Sequence, residues 1–345
     1  MDHFTNLTRQ ERKEIIGETA NAMDLSPTII EKDFWVCWTL GKIANIPQIG
    51  EHITFKGGTS LSKVFHLIDR FSEDIDLSFG RSYLGFGGDR DPEQGNTKKQ
   101  IEKRIEELRQ ACVEEISHRF MPTLNASIGN VINKSADPWV LKIDNNDAQT
   151  ILFYYPRSMD ASLESYIQPV IKIEMGARSD DWPTMNGIVN SYIEETFKDL
   201  WPKNLISIKT LACERTFWEK ATILHAEYHR PETKNPAVRS SRHYYDLYQM
   251  HKKGVSTHAL QQIDLLDRVA KHKSIFFRSS WANYEEAKPG TLRIIPKLER
   301  MTELKQDYIK MQNMFFGNAP TFDEIMDGLK GLEYSINSEE LACKI

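Results

Sequence analysis

Between Phe55 and Phe79, in the run FKGGTSLSKVFHLIDRFSEDIDLSF, the spacing of apolar residues changes from helical to alternating. Leu61, Val64, Phe65 and Ile68 fall at i, i+3, i+4 and i+7, so the residues after Ser60 are expected to form an amphipathic helix. Ile75, Leu77 and Phe79 then alternate with Asp74, Asp76 and Ser78, which predicts a strand with both aspartates on one face. Upstream, HITFKG reads as a short strand that runs into Gly57-Gly58. Any fold of this chain has to accommodate strand, glycine turn, helix and acidic strand in that order.

The order has chemical content. A strand ending in Gly57-Gly58, with Thr59-Ser60 opening a helix, lets backbone N–H groups approach an anion such as phosphate. Read alone, GGTS reads better as an ordinary structural turn, and it lacks the spacing of a P-loop or a dinucleotide fingerprint. Two carboxylates on one strand face repel, and a cation between them relieves the repulsion; hard oxygen donors suit Mg²⁺ or Mn²⁺. An exposed acidic edge strand is the competing reading. Together the two elements form a phosphate cradle beside a divalent-metal site, the arrangement that transfer from a nucleoside triphosphate requires. A third carboxylate would complete a two-metal site. Glu174 is the best candidate, since IKIEMGARS sets Val170, Lys172 and Glu174 on one face of a long strand and Ile171, Ile173 and Met175 on the other. A buried or ion-paired glutamate is the alternative, with Lys172 as the available partner.

The rest of the chain frames these elements. ERKEIIGETANAM and SPTIIEKDFWVCWTLGKIAN read as helices, the second with Ser26 as N-cap and Pro27 at the first helical position. Gly80 to Asn96 reads as a mobile loop, Lys98 to Phe120 as a charged helix, and WVLKIDN, TILFYYP and YIQPVIKIEMGARS as strands. After Lys203 the pattern turns helical, which sets expected domains at 1–200 and 201–345. With 345 residues, 40% of them hydrophobic, the chain has material for a large core in two lobes. No apolar run is long enough to span a bilayer and the N-terminus lacks a signal-peptide layout, so a cytoplasmic protein without membrane contact is expected. Cys37, Cys112, Cys213 and Cys343 show no CxxC pairing, which suggests neither a disulfide framework nor a zinc site. The net charge of −5 divides into −9 for residues 1–200 and +4 for residues 201–345. That fits an acidic metal-holding lobe beside one that contacts a polyanion, and fits a mixed solvated surface equally well.

The run from Phe55 to Phe79 resembles the first motif of the AbiEii/AbiGii-type nucleotidyltransferase toxins, a branch of the DNA polymerase β-like nucleotidyltransferase superfamily. EKDFWV, IKIEMGARS, ERTFWEKATILH and SRHYYDLYQM resemble further family segments in the expected order, so roughly residues 25–250 are covered. The resemblance implies an α+β fold: a polymerase β-like core with a mixed sheet flanked by helices, plus a mostly helical C-terminal domain contributing phosphate- and acceptor-binding residues. It implies triphosphate binding at Gly58 and Ser60, within the stretch Gly57, Gly58, Thr59 and Ser60, and metal binding at Asp74 and Asp76, with Glu174 as third ligand. Lys220 would contact the phosphates and Asp246 would be the final motif acid.

From the residues alone, Lys220 is also readable as a solvated helical lysine and Asp246 as a surface acid paired with Arg242 one turn earlier. If Lys220 serves only phosphate, its replacement by alanine should cost transfer with little change in folding. HAEYH, with His225 and His229, has a possible metal spacing but reads better as a wet helix face; Phe217, Trp218, Tyr244, Tyr245 and Tyr248 read mainly as core. The resemblance further implies a bacterial toxin with a cognate antitoxin, taking an NTP as substrate and an RNA acceptor, most plausibly the 3′ end of tRNA, so that translation stops. A protein hydroxyl as acceptor, or an inactive nucleotide- or RNA-binding regulator, are the alternatives.

Overall fold

The computed structural model describes residues 1–132, 138–159, 168–198 and 205–338. They divide into two compact units: Met1–Phe65 with Phe71–Thr210, and His66–Arg70 with Leu211–Ile345. The first unit therefore runs ten residues past 200, because ISIKTL, expected to lie at the start of the helical part, is a strand of its sheet.

Strands β1 (Ile53–Lys56), β2 (Ile75–Phe79), β3 (Val140–Ile143), β4 (Thr150–Tyr154), β5 (Ile171–Gly176), β6 (Thr184–Val189) and β7 (Ile206–Leu211) form one seven-stranded sheet in the order β3-β4-β5-β2-β1-β7-β6. It is mixed, as expected: β1 is antiparallel to β2 and parallel to β7, β2 is parallel to β5, and β3, β4 and β5 run antiparallel in turn. Both β6 and β7 escaped the sequence reading, since TMNGIV has no clean alternation of apolar and polar residues and ISIKTL merges into the helical pattern that follows.

Alternation sorts this sheet into two unlike faces. Ile75, Leu77, Phe79, Ile151, Phe153, Ile171, Ile173 and Met175 are all buried on one of them. The helix Pro27–Ala44 covers that face; it is capped by Ser26, whose side chain accepts from Ile29 N, with Pro27 at the first position as expected. Its Trp35 and Trp38 meet Phe153 at 6.1 and 6.3 Å, and Trp35 stacks on Tyr155 at 5.7 Å. The charged helix Lys98–Glu115 continues through one π-helical turn, and Phe120 at its end packs edge-on against Phe79. The opposite face carries Lys56, Asp76, Lys172 and Glu174. A sheet with one covered face can leave the other to water and to substrate.

Two local expectations change. The helix after the glycines spans only Gly57–Lys63; Val64 closes it, and His66 takes a positive φ of 52° that no helix continues through. Its predicted last turn is instead the segment His66–Arg70, which the second unit owns. The stretch Gly80–Asn96 is not featureless either: it folds into two short 3₁₀ helices, with Arg81 held by Asp91 at 3.0 Å and Glu93 at 2.8 Å.

The second unit is mostly helical, as expected, with helices Cys213–His229, Ser241–Lys252, Val255–Gln261, Ile263–Phe276, Leu298–Lys310 and Phe322–Ile336. Phe217, Trp218, Tyr244 and Tyr245 are buried core residues, and Tyr245 packs on Phe315 at 4.7 Å. The segment His66–Arg70 is fixed in this unit by an antiparallel bridge from Arg70 to Phe315, a bond from Phe316 N to Asp69 O of 2.9 Å, and an ion pair from Lys253 to Asp69.

Candidate active site

Gly57 begins at φ +78°, a conformation that disfavours a side chain, and an added Cβ there would lie 2.7 Å from Asp76 Cγ, against the carboxyl group itself. The glycine is thus required twice, by its backbone and by the acid it makes room for. The β1–β2 register explains the proximity, because Lys56, immediately before Gly57, is the partner of Asp76. On the other side of β2, Asp76 is paired in register with Glu174 of β5. Lys56, Asp76 and Glu174 therefore form one row on the open face, so the third carboxylate candidate stands beside the second aspartate.

Asp74 lies just before β2 and not within it. Its main chain is held by Thr59, whose hydroxyl donates to the Asp74 carbonyl and lies 3.0 Å from Ser72 Oγ. Ser60 donates to the Gly57 carbonyl at 2.9 Å. Both hydroxyl residues are fully buried and brace the turn, while Gly58 is half-buried as the second helical residue. Burial and the neighbouring charges of Glu73 and Asp76 push the Asp74 carboxyl above its usual range, against Lys32 and Lys172. Lys172 Nζ lies 3.9 Å from Glu174 Oε1, and both side chains are about half exposed, so this pair is an open one.

Among the described residues no three His, Cys, Asp or Glu side chains already converge as a metal cage. The donor chemistry nevertheless fits a divalent cation. Asp76 adds to the cost of ionising Asp74, Glu174 is next in register, and every donor is a hard oxygen.

Beneath the site is a set of buried charges that sequence reasoning did not single out. In EKDFWV, Glu31, Lys32 and Asp33 are each 2% exposed, and each has its own partner. Glu31 accepts from Ser158 N and Met159 N; Lys32 donates to Glu73 Oε2 at 2.6 Å and Gln168 O at 2.7 Å; Asp33 binds Lys63 at 2.8 Å and accepts from Tyr192 N. Lys32 fixes Glu73, the neighbour of Asp74, and Lys63 fixes the end of the glycine helix. Three consecutive charges in a mostly apolar helix were the available signal, since buried charges require partners.

Lys220 and Asp246 lie in the second unit, bonded to each other at 2.7 Å. The partner of Asp246 is not Arg242, as the helical spacing suggested, but Arg70, which binds both carboxylate oxygens at 2.8 and 2.9 Å. An i−4 pair would have kept Asp246 on the helix surface, whereas it is fully buried and meets an arginine from the segment that leaves the first unit. Burial alone would raise its pKa, but the two cations overcome that and hold Asp246 ionised far below the usual range. Lys220 is itself buried, 7% exposed, and its pKa is lowered by burial and by Arg70. Lys220 also lies 3.3 Å from His243 Nδ1, and burial with this adjacent cation keeps the His243 ring neutral.

His225 is no metal ligand: Nδ1 accepts from Arg293 N and Nε2 lies 3.0 Å from Asn283 O, so both ring nitrogens are used. Cys37, Cys112 and Cys213 are free thiols, and Cys343 lies outside the described residues. Among the described residues no helix is long and apolar enough to cross a membrane.

Comparison with known proteins agrees with the fold. MenT4, a nucleotidyltransferase toxin from Mycobacterium tuberculosis H37Rv, superposes with a TM-score of 0.51 at 13% identity, covering 98% of this chain and 92% of that one; at this identity the likeness speaks for the fold. No curated protein matches the chain significantly. A family described as "Nucleotidyl transferase AbiEii toxin, Type IV TA system" matches residues 40–328, a span that holds the glycine turn, the carboxylate row, Lys220 and Asp246. The chain belongs to the AbiEii family of nucleotidyltransferase toxins of type IV toxin–antitoxin systems.

Proposed function

We propose that this nucleotidyltransferase moves a nucleoside monophosphate from an NTP to an RNA acceptor, the 3′ end of tRNA, and thereby blocks translation until its cognate antitoxin intervenes. The observation that carries the chemistry is the register that sets Asp76 between Lys56 and Glu174, with Gly57 reduced to hydrogen so that the Asp76 carboxyl fits. In this reading Asp74, Asp76 and Glu174 hold Mg²⁺ or Mn²⁺, which when bound lowers the pKa of the attacking hydroxyl and neutralises charge on the α-phosphate. Gly57 and Gly58 allow close approach of the triphosphate to the backbone, and Thr59 and Ser60 keep the turn rigid while it binds. Asp74 and Asp76 orient the reacting groups as carboxylates, a state that a bound cation favours by opposing the repulsion between them.

Lys220 supplies positive charge to the leaving pyrophosphate, and the helical unit contributes further phosphate and acceptor contacts. Asp246 acts as the anchor of Lys220: it accepts from Arg70 on both oxygens and from Lys220 on one, and the two cations make its buried carboxylate a weak base. The acceptor part rests on the family resemblance. It is tested by incubating the protein with Mg²⁺, bulk tRNA and each α-labelled NTP, then separating RNA from polypeptide on a denaturing gel. Label on tRNA is expected. Label on polypeptide would make a protein hydroxyl the acceptor, and no label with any NTP would contradict transfer to either.

A further inference from the structure

The open face of the sheet does not stop at the carboxylates. In register with Glu174 is Thr150 of β4, and two residues further along the same face comes Leu152, paired with Lys172 on one side and Lys142 of β3 on the other. Two residues beyond that is Tyr154, 37% exposed, with Lys142 Nζ 5.1 Å from its ring centroid. At about 3.3 Å per residue the track from Thr150 to Tyr154 is roughly 13 Å long. Its composition is unusual for a solvent-facing sheet. A half-buried leucine and an exposed tyrosine run down the middle with lysines beside them, while the acids are confined to the Glu174 end, where buried Thr150 donates to the Asp147 carboxylate at 2.7 Å. Tyr154 presents an aromatic face at low conformational cost, and the lysines complement a phosphate backbone.

We infer that the β3–β4–β5 half of this face is a platform for the single-stranded end of the RNA acceptor: Tyr154 stacks on a base, and Lys142 and Lys172 pair with flanking phosphates. The track leads to Glu174, so a strand lying along it delivers its terminal hydroxyl to the carboxylate row. Charge complementarity and continuity with that row select RNA as the occupant. The inference rests on RNA being the acceptor. It deepens that reading by naming where the RNA lies.

The test is fluorescence anisotropy with a 5′-labelled single-stranded RNA ending in a free 3′ hydroxyl, with Mg²⁺ and no NTP, on wild type, Tyr154→Ala, Tyr154→Phe, Lys142→Ala and Lys103→Ala. Lys103 is an exposed lysine of the helix Lys98–Glu115 and serves as a charge control. Tyr154→Ala should weaken binding at least about fivefold, with Tyr154→Phe restoring it. Lys142→Ala should lower the slope of log K against log salt by about one, while Lys103→Ala should leave it unchanged. Thermal melts of each variant separate lost binding from lost folding. Equal RNA affinity in wild type, Tyr154→Ala and Lys142→Ala overturns the platform, as does failure of the wild type to bind RNA. If the wild type labels RNA while Tyr154→Ala keeps its KM for RNA, the platform fails and the transfer reading stands. If RNA binds as described but label goes only to polypeptide, the platform is overturned together with the acceptor reading.

Discussion

Gly57 and Asp76 are one structural decision made at two positions. A residue with a side chain at Gly57 would have to hold a left-handed backbone, at about 1–2 kcal/mol, and displace the Asp76 carboxyl at the same time. Gly57→Ala should therefore lose nucleotidyl transfer almost completely while its melting temperature falls only a few degrees, and retention of near-normal turnover would show that the carboxyl has room to move. The Arg70–Asp246–Lys220 cluster behaves differently, since removing its only anion leaves two cations buried side by side. Asp246→Ala should cost about 3–5 kcal/mol in urea unfolding.

Lys220 also departs from its first reading. A solvated lysine could be removed without effect on folding, but this one is buried on the Asp246 carboxylate, so Lys220→Met should lower stability by about 2 kcal/mol as well as transfer. An unchanged unfolding midpoint would contradict the pairing. Neither the burial of Lys220 nor the partnership of Asp246 with Arg70 was legible in the sequence. The pair joins residues 70 and 246, and helical spacing pointed to the nearer Arg242.

At the scale of elements, the strands β1 to β5, the helix opened by Ser26 and the charged helix from Lys98 were readable. The helix expected through Ile68 was not, because its apolar stripe is real but divided. Leu61 packs in the first unit, while Ile68 belongs to the segment that joins the second. Periodicity reports that residues are buried and says nothing of which body buries them. The helix Cys213–His229 shows the same limit, since the HAEYH spacing suggested a wet face while His225 is buried and bonded at both nitrogens.

Burial, with the neighbouring His229 and Arg293 in the same sense, outweighs the Asn283 carbonyl and Glu286 and depresses the His225 pKa from 6.5 to about 4. Between those values the unfolded chain takes up a proton that the folded one refuses. The contribution is thus complete above pH 6.5 and is lost as pH falls towards 4, with a slope of up to about 1.4 kcal/mol per pH unit. Urea unfolding of wild type and His225→Asn across that window should show a steeper pH dependence in the wild type. Parallel curves would contradict a neutral, buried His225.

At the scale of the molecule, the sheet's two faces divide the labour. One buries Trp35, Trp38 and Phe153, and the other is left to carry Asp76 and Glu174. The alternation of Ile75, Leu77 and Phe79 was enough to place Asp76 on the face away from that core. Sheet order was beyond reach. Nothing in the spacing says that β5 lies beside β2, and only that adjacency makes Glu174 the neighbour of Asp76. The central claim is that this row of carboxylates drives a cation-dependent transfer. Its most direct test is pyrophosphate release from NTP with RNA acceptor, titrated with Mg²⁺ from a metal-free start, for wild type and Asp76→Ala. Saturable Mg²⁺-dependent release in the wild type and none above background in the variant is the predicted result; release that persists in excess chelator, or that survives Asp76→Ala, would contradict it.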